Sequence, residues 1–206
     1  AGAHAGRGVA PGARMTAPRR IVVGISGASG AVYGVALLQA LRAMADVESH
    51  LVVSDAGWLN IAHETELARA EVEALAHVVH DNAAIGASIA SGSFGAQAMV
   101  VAPCSMRTLA AIAHGLSDSL LTRAADVMLK ERRRLVLLAR ESPLHLVHLR
   151  NMVAVTEMGA IVCPPMPAFY QRPRTVQDIV QHAVARALDL LGLDNELAPR
   201  WQGLPQ

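Results

Sequence analysis

Ile21-Val-Val-Gly-Ile-Ser-Gly-Ala-Ser-Gly30 decides the fold. A short apolar run ends abruptly in glycines and serines, and a helix-like segment opens at Ala31. This pattern predicts a strand, a tight turn and a helix N-terminus within ten residues. Such a turn offers backbone N–H groups and two hydroxyls to an anion at the positive end of a helix dipole. The expected ligand is therefore a phosphate, on a nucleotide or a phosphorylated substrate. The spacing Gly24-x-x-Gly27-x-x-Gly30 is neither the dinucleotide fingerprint nor the P-loop, because no Gly-Lys-Ser/Thr follows.

Outward from this turn, short apolar runs alternate with helix-period segments. Strands are expected at 20–25, 49–53, 98–102, 135–139 and 160–163, and helices at 31–44, 57–63, 66–77, 106–114, 119–133, 143–158 and 175–191. In the last of these, Thr175-x-x-Asp178 reads as a capping box, and Val176, Ile179, Val180, Ala183, Val184, Ala187, Leu188 and Leu191 form one stripe. The alternation implies right-handed crossovers and a doubly wound parallel sheet, an α/β three-layer fold of Rossmann-like type. Ligands of such sheets bind beyond the strand C-termini. That directs attention to Gly27–Gly30, Ser54-Asp55, Pro103–Thr108, Arg140-Glu141 and Pro164–Tyr170.

Composition narrows the function. With 206 residues the chain is expected to form one domain over 19–206, after a leader or non-native remnant over 1–18 that is rich in Gly, Ala and Pro. Hydrophobic residues at 52% against 17% charged point to assembly of several copies, since the surplus apolar surface must be covered. A net charge of +1 argues against a nucleic-acid groove. No apolar run reaches the roughly 18–20 residues of a membrane span. Two distant cysteines, Cys104 and Cys163, make neither a disulfide framework nor a metal knuckle and fit a reducing cytoplasm.

Several candidates have a plain and a chemical reading. Ser105, Arg107 and Thr108 follow a strand and open a helix, either as an ordinary cap or as a second anion or flavin-edge site on the rim of Ser29. Arg123 and Lys130 are seven apart on one helix face, either solvated or forming a phosphate clamp. Glu141 stands where a carboxylate can exchange protons with a ligand, or merely starts a helix. His63-Glu64 lacks a further histidine at ligand spacing. The pairs His77/His80 and His145/His148, read as helix-spaced, lack a third ligand, so no metal site is expected.

The ordered set Gly24–Tyr33, Glu64-Thr65, Ala90–Ser93, Pro103-Cys-Ser-x-x-Thr-Leu109, Arg123–Arg133, Arg140-Glu-x-Pro143, Pro167-x-Phe-Tyr170, Arg186 and Pro199-Arg-Trp201 resembles the flavin prenyltransferase family (UbiX type) over about residues 19–203. The resemblance implies a flavodoxin-like fold, a single flavin-binding domain and a large homo-oligomer, typically a dodecamer. It implies that a dimethylallyl group passes from dimethylallyl monophosphate to N5 and C6 of reduced FMN without a metal. The product would serve a UbiD-type decarboxylase, in ubiquinone synthesis among other routes. Carried over by motif, Ala28, Ser29, Gly30, Ser54, Ser105, Met106, Arg107, Thr108 and Arg140 would meet FMN. Ser91, Arg123, Lys130, Tyr170 and Arg186 would hold the allylic phosphate. Ser29, Glu64 and Glu141 would steer protons, and Trp201 would reach a neighbour's flavin site. One departure is the stretch Asp81-Asn-Ala-Ala-Ile-Gly-Ala87, where some members carry a tryptophan that contacts the allyl group. Two other readings are a flavin-dependent cysteine decarboxylase, whose relatives carry Ala-Ser-Ala-Asn-Thr where this chain has Cys104-Ser-Met-Arg-Thr108, and a non-catalytic FMN carrier.

Overall fold

The computed structural model describes residues 17–203. The expected leader over 1–18 lies outside them except for its last two residues. Strand β1 (Arg19–Ile25) ends in the quoted turn, and helix α1 (Ala31–Arg42) follows at once. Then come β2 (Val47–Val53), α2 (Asp55–Glu64), α3 (Arg69–Glu73), β3 (Val78–His80) and β4 (Ala98–Cys104). The chain continues through α4 (Met106–Ala113), α5 (Leu120–Lys130), β5 (Arg134–Ala139), α6 (Leu146–Glu157), β6 (Ile161–Val162) and α7 (Val176–Leu191).

All six strands are parallel, in the order β3-β2-β1-β4-β5-β6. Without the three-residue edge strand β3, the order is the flavodoxin-type 2-1-3-4-5. Burial explains the continuous apolar runs, because both faces of each central strand are covered. Ile21, Val23 and Ile25 of β1 pack with Leu37, Leu38 and Leu41 of α1 and Val184 and Leu188 of α7. Val22 points the other way, into a second core with Met99, Val101, Leu121 and Leu137. The period-2 alternation of one strand thus separates two helix layers.

Three expectations need correction. The helix expected at 66–77 shrinks to Arg69–Glu73, where only Val72 is buried. His77 and His80 do not share a helix; His77 precedes the edge strand β3 and His80 is its last residue, with His80 Nε2 3.0 Å from His50 Nδ1. That strand itself was not foreseen, being three residues long with Val78 and Val79 more than a third exposed.

The chain runs β1 to β3 in one direction and returns to add β4 on the other side of β1. The switch point therefore lies between the C-terminal ends of β1 and β4, where doubly wound sheets bind ligands. Buried Ser26 ties the two loops there. Its hydroxyl donates to Pro103 O at 3.0 Å and accepts from Ser105 N at 2.8 Å.

Candidate active site

Two clefts flank the Gly27–Gly30 turn. The first, of about 450 Å³, has Gly27, Ser54, Ser105, Arg107, Ser119 and Glu141 in its wall, with Met106 and Thr108 beside them. The N-termini of three helices border it, each capped by a serine hydroxyl. Ser54 accepts from Gly57 N at 3.1 Å, Ser105 from Thr108 N at 3.2 Å and Ser119 from Thr122 N at 3.3 Å. The positive ends of three helix dipoles thus converge with the Arg107 guanidinium on one volume, an environment suited to a phosphate. The cap and the anion-site readings of Ser105 are therefore compatible: its hydroxyl caps α4 while the helix end faces the cleft.

The second cleft, of about 470 Å³, is bounded by Ser29, Tyr33, Glu64, Arg140, Pro165 and Val180, with Gly30 at its edge. Here the reading of the glycine turn as a phosphate cradle is corrected. The Gly30 and Ala31 N–H groups donate to Glu64 Oε2 at 2.8 and 2.9 Å, so the chain's own carboxylate occupies the N-terminus of α1. Gly30 takes φ 105°, a left-handed conformation that favours glycine. Burial pushes the Glu64 carboxyl up, but the two backbone N–H groups, the Ser29 hydroxyl and nearby Arg140 outweigh it and hold it below its ordinary value. Glu64 is therefore an anion at neutral pH. Burial raises Tyr33 despite Arg140, so its phenol stays protonated. Glu141 is exposed on the wall of the first cleft, its Oε1 accepting from Ser142 N at 3.0 Å.

A third cleft, of about 500 Å³, lies along α7 and contains Tyr170, His182, Arg186, Arg200 and Trp201. Tyr170 and Trp201 meet edge to face at 5.3 Å, and the Tyr170 hydroxyl is 3.3 Å from His182 Nε2. Arg186 pairs with Asp189 at 2.9 Å.

The rest of the expected phosphate clamp is elsewhere. Arg123, one turn into α5, is paired with Asp126 at 2.6 Å. Lys130 ends that helix, paired with Glu131, immediately before β5 begins. Ser91 bonds Ser93 at 2.9 Å, and Gly92 O accepts from Arg133 at 2.9 Å. Phe94 O accepts from Arg20, at the start of β1, at 2.7 Å. Ser91 and Lys130 therefore lie at the N-terminal edge of the sheet, opposite Ser29. The turn and the whole clamp implied by the resemblance therefore do not meet on one rim within a single chain. Ala28 is buried, with its N–H on Ser26 O, and lines neither of the clefts beside the turn.

Asn82 was missed. It lines the first cleft and holds the end of α5, its Oδ1 accepting from Leu121 N at 3.1 Å and its backbone O from Leu120 N at 2.8 Å. The available signal was Val78-Val79 followed by the turn pair Asp81-Asn82. Asp118, 3.3 Å from Arg107, was also missed. Cys104 is inert, its thiol pushed up to about 12 by burial. Among the described residues no group of three His, Cys, Asp or Glu is placed to hold a metal ion, and no helix is long and apolar enough to cross a membrane.

Known proteins share this sequence and fold. The family model Flavoprotein matches residues 10–188. The chain is 60% identical over 186 residues to the flavin prenyltransferase UbiX of Neisseria meningitidis serogroup B, covering 90% of this chain and 98% of that one. A crystal structure of AnUbiX (PadA1) in complex with FMN and dimethylallyl pyrophosphate superposes with TM-score 0.89 at 50% identity, covering 91% of this chain and all of that one. A dodecameric FMN-dependent UbiX-like decarboxylase from Escherichia coli O157:H7 superposes with TM-score 0.88 at 54% identity, covering 89% of this chain and all of that one. With switch-point clefts of this chemistry and such identity along almost its whole length, the chain belongs to the flavin prenyltransferase family of the UbiX type.

Proposed function

We propose that the protein joins a dimethylallyl group, supplied as dimethylallyl monophosphate, to N5 and C6 of reduced FMN. The allylic C–O bond breaks and C1 of the five-carbon unit bonds N5, which gives up its proton; the remaining double bond is then protonated at C2, C3 bonds C6, and the C6 hydrogen leaves as a proton, so that hydrogen phosphate is released and the flavin gains C5H8. The observation that carries this reading is the pair of adjoining clefts on either side of the Gly27–Gly30 turn. FMN fits them with its phosphate among the N-termini of α2, α4 and α5 near Arg107. Its ring then passes over Ser29 toward Arg140 and Glu64.

In this arrangement Ser54 and Ser105 fix the helix ends that receive the FMN phosphate. Anionic Glu64 accepts the Ser29 hydroxyl and so presents the serine oxygen to N5. Glu141 stands by to take or return a proton, with the departing phosphate as a second acceptor. Arg186 and Tyr170 hold the allylic phosphate, and Lys130, Arg123 and Ser91 complete the clamp from a neighbouring copy. Ionisation of an allylic phosphate needs cations on the leaving group and a dry surrounding for the carbon left behind. A site closed by a second subunit supplies both. Supporting this are the dodecameric relative and the exposed apolar side chains Leu146, Leu149 and Val153, spaced along one face of α6. The prenylated flavin is then handed to a UbiD-type decarboxylase.

The test is direct. Incubated anaerobically with reduced FMN and dimethylallyl monophosphate, the protein is expected to yield a flavin heavier by one C5 unit by mass spectrometry. Bound flavin of unchanged mass would reject the proposal in favour of a carrier.

A further inference from the structure

We infer that Arg200 is a second guanidinium of the allylic-phosphate subsite, and that Asp189 is the positioning residue that holds it and Arg186 together. The inference rests on the placement of that phosphate in the cleft along α7. Two cations converge there on one carboxylate. Arg186 Nη1 is 2.9 Å from Asp189 Oδ2, and Arg200 Nη2 is 3.3 Å from Asp189 Oδ1. Asn195 Nδ2 donates to the same Oδ1 at 3.0 Å, fixing the carboxylate from a third side. Asp189 is the least exposed of the three charged groups, at 21% against 52% and 61% for the arginines. It is thus an anchor behind the guanidiniums rather than a competitor in front of them.

Two positive charges against one negative leave the cleft with one uncompensated cation beside the Tyr170 hydroxyl and His182. A phosphate ester offers several acceptor oxygens, so it can take one fork from each arginine. Arg200 stands on the segment that returns along α7, held by Gln171 Nε2 on Pro199 O at 2.8 Å. This brings Arg200 to the cleft from outside the helix that carries Arg186 and gives the subsite two independently anchored donors.

The experiment titrates dimethylallyl monophosphate and inorganic phosphate into the FMN-loaded full-length protein by calorimetry. Arg200→Gln is expected to weaken both ligands by about tenfold, the scale of one lost charge-assisted contact, with FMN affinity and melting temperature unchanged. Arg200→Lys is expected to recover part of the loss. Asp189→Asn is expected to weaken phosphate binding severalfold. A bystander acid gives the opposite sign, since removing a negative charge strengthens anion binding. Unchanged phosphate affinity in Arg200→Gln, alongside a clear loss in Arg186→Gln, overturns the role of Arg200 and leaves the proposed function standing. A parallel fall in melting temperature makes Arg200 a structural strap and also overturns it. No change in either arginine variant overturns the placement of the phosphate itself.

Discussion

The Glu64 carboxylate caps helix α1 from the far end of helix α2, 34 residues away in sequence. Two orphan N–H groups and a helix dipole are satisfied by one side chain. Glu64→Gln keeps the shape and removes the charge. It is expected to cost about 1 kcal/mol, held to the low end by solvent exposure, and to lower turnover by releasing Ser29. The pH dependence follows from the sign of the shift. A carboxyl held below its ordinary value of 4.5 in the folded state stabilises that state fully above 4.5 and loses the contribution as pH falls through the lowered value. Thermal melts of wild type and variant should therefore differ at about pH 7 and converge once the pH falls below the lowered value; a gap that widens in acid contradicts the assignment. The proton-handling role proposed for Glu64 comes only through family resemblance. Its capping role was not legible, because local spacing says nothing about a carboxylate arriving from another helix.

At the scale of elements, the turn works because β1, α1 and α2 approach closely at glycines. A Cβ on Gly27 would collide with the Cβ of Ala56 in the first turn of α2, and one on Gly34 would strike Ala102 O of β4. Gly27 is therefore a close-packing residue, whereas Gly30 is the one that needs a left-handed backbone. Gly27→Ala should push α2 away from the turn at a cost of about 1–3 kcal/mol and weaken FMN binding, because Ser54 caps that helix. The double variant with Ala56→Gly should recover most of both losses, read by denaturant unfolding and flavin fluorescence titration. Failure of the second change to rescue the first would show that the turn, not the helix contact, is at fault. Elements with a strong internal signal were legible in advance: α7 keeps its capping box, with Thr175 Oγ1 accepting from Asp178 N at 3.1 Å, and its apolar stripe is buried from Val180 to Leu191, whereas Val176, at its first turn, is 76% exposed. Strand β3 and the short α3 were not, since each buries little apolar surface and tertiary pairing alone defines them.

In the molecule as a whole, the residues proposed for the chemistry lie at the two edges of one sheet. Ser29, Glu64 and Arg140 stand at the strand C-termini, while Ser91 and Lys130 stand at the N-termini, about 16 Å away along the eleven residues of α5. No rotamer change spans that length, so a clamp drawing on both edges must use two copies of the chain. Resemblance supplied the residues of this clamp, but one chain's motif order carries no information about which subunit each comes from. The arrangement makes a quantitative prediction. Lys130→Ala and Arg186→Ala are each expected to abolish prenyl transfer while keeping FMN bound. If a site takes Lys130 from one copy and Arg186 from another, co-assembled equimolar subunits place both intact residues in about a quarter of sites, since each is drawn independently with a chance of about one half. Subunits dissociated in mild denaturant, mixed and reassembled should then regain about a quarter of wild-type turnover. Mixing without dissociation should regain none. If each site instead took both residues from the same chain, every site of the mixed assembly would still lack one of them and activity would stay at the level of the single variants. The two arrangements are therefore separated by the presence or absence of rescue, independently of how strongly either variant impairs its own site.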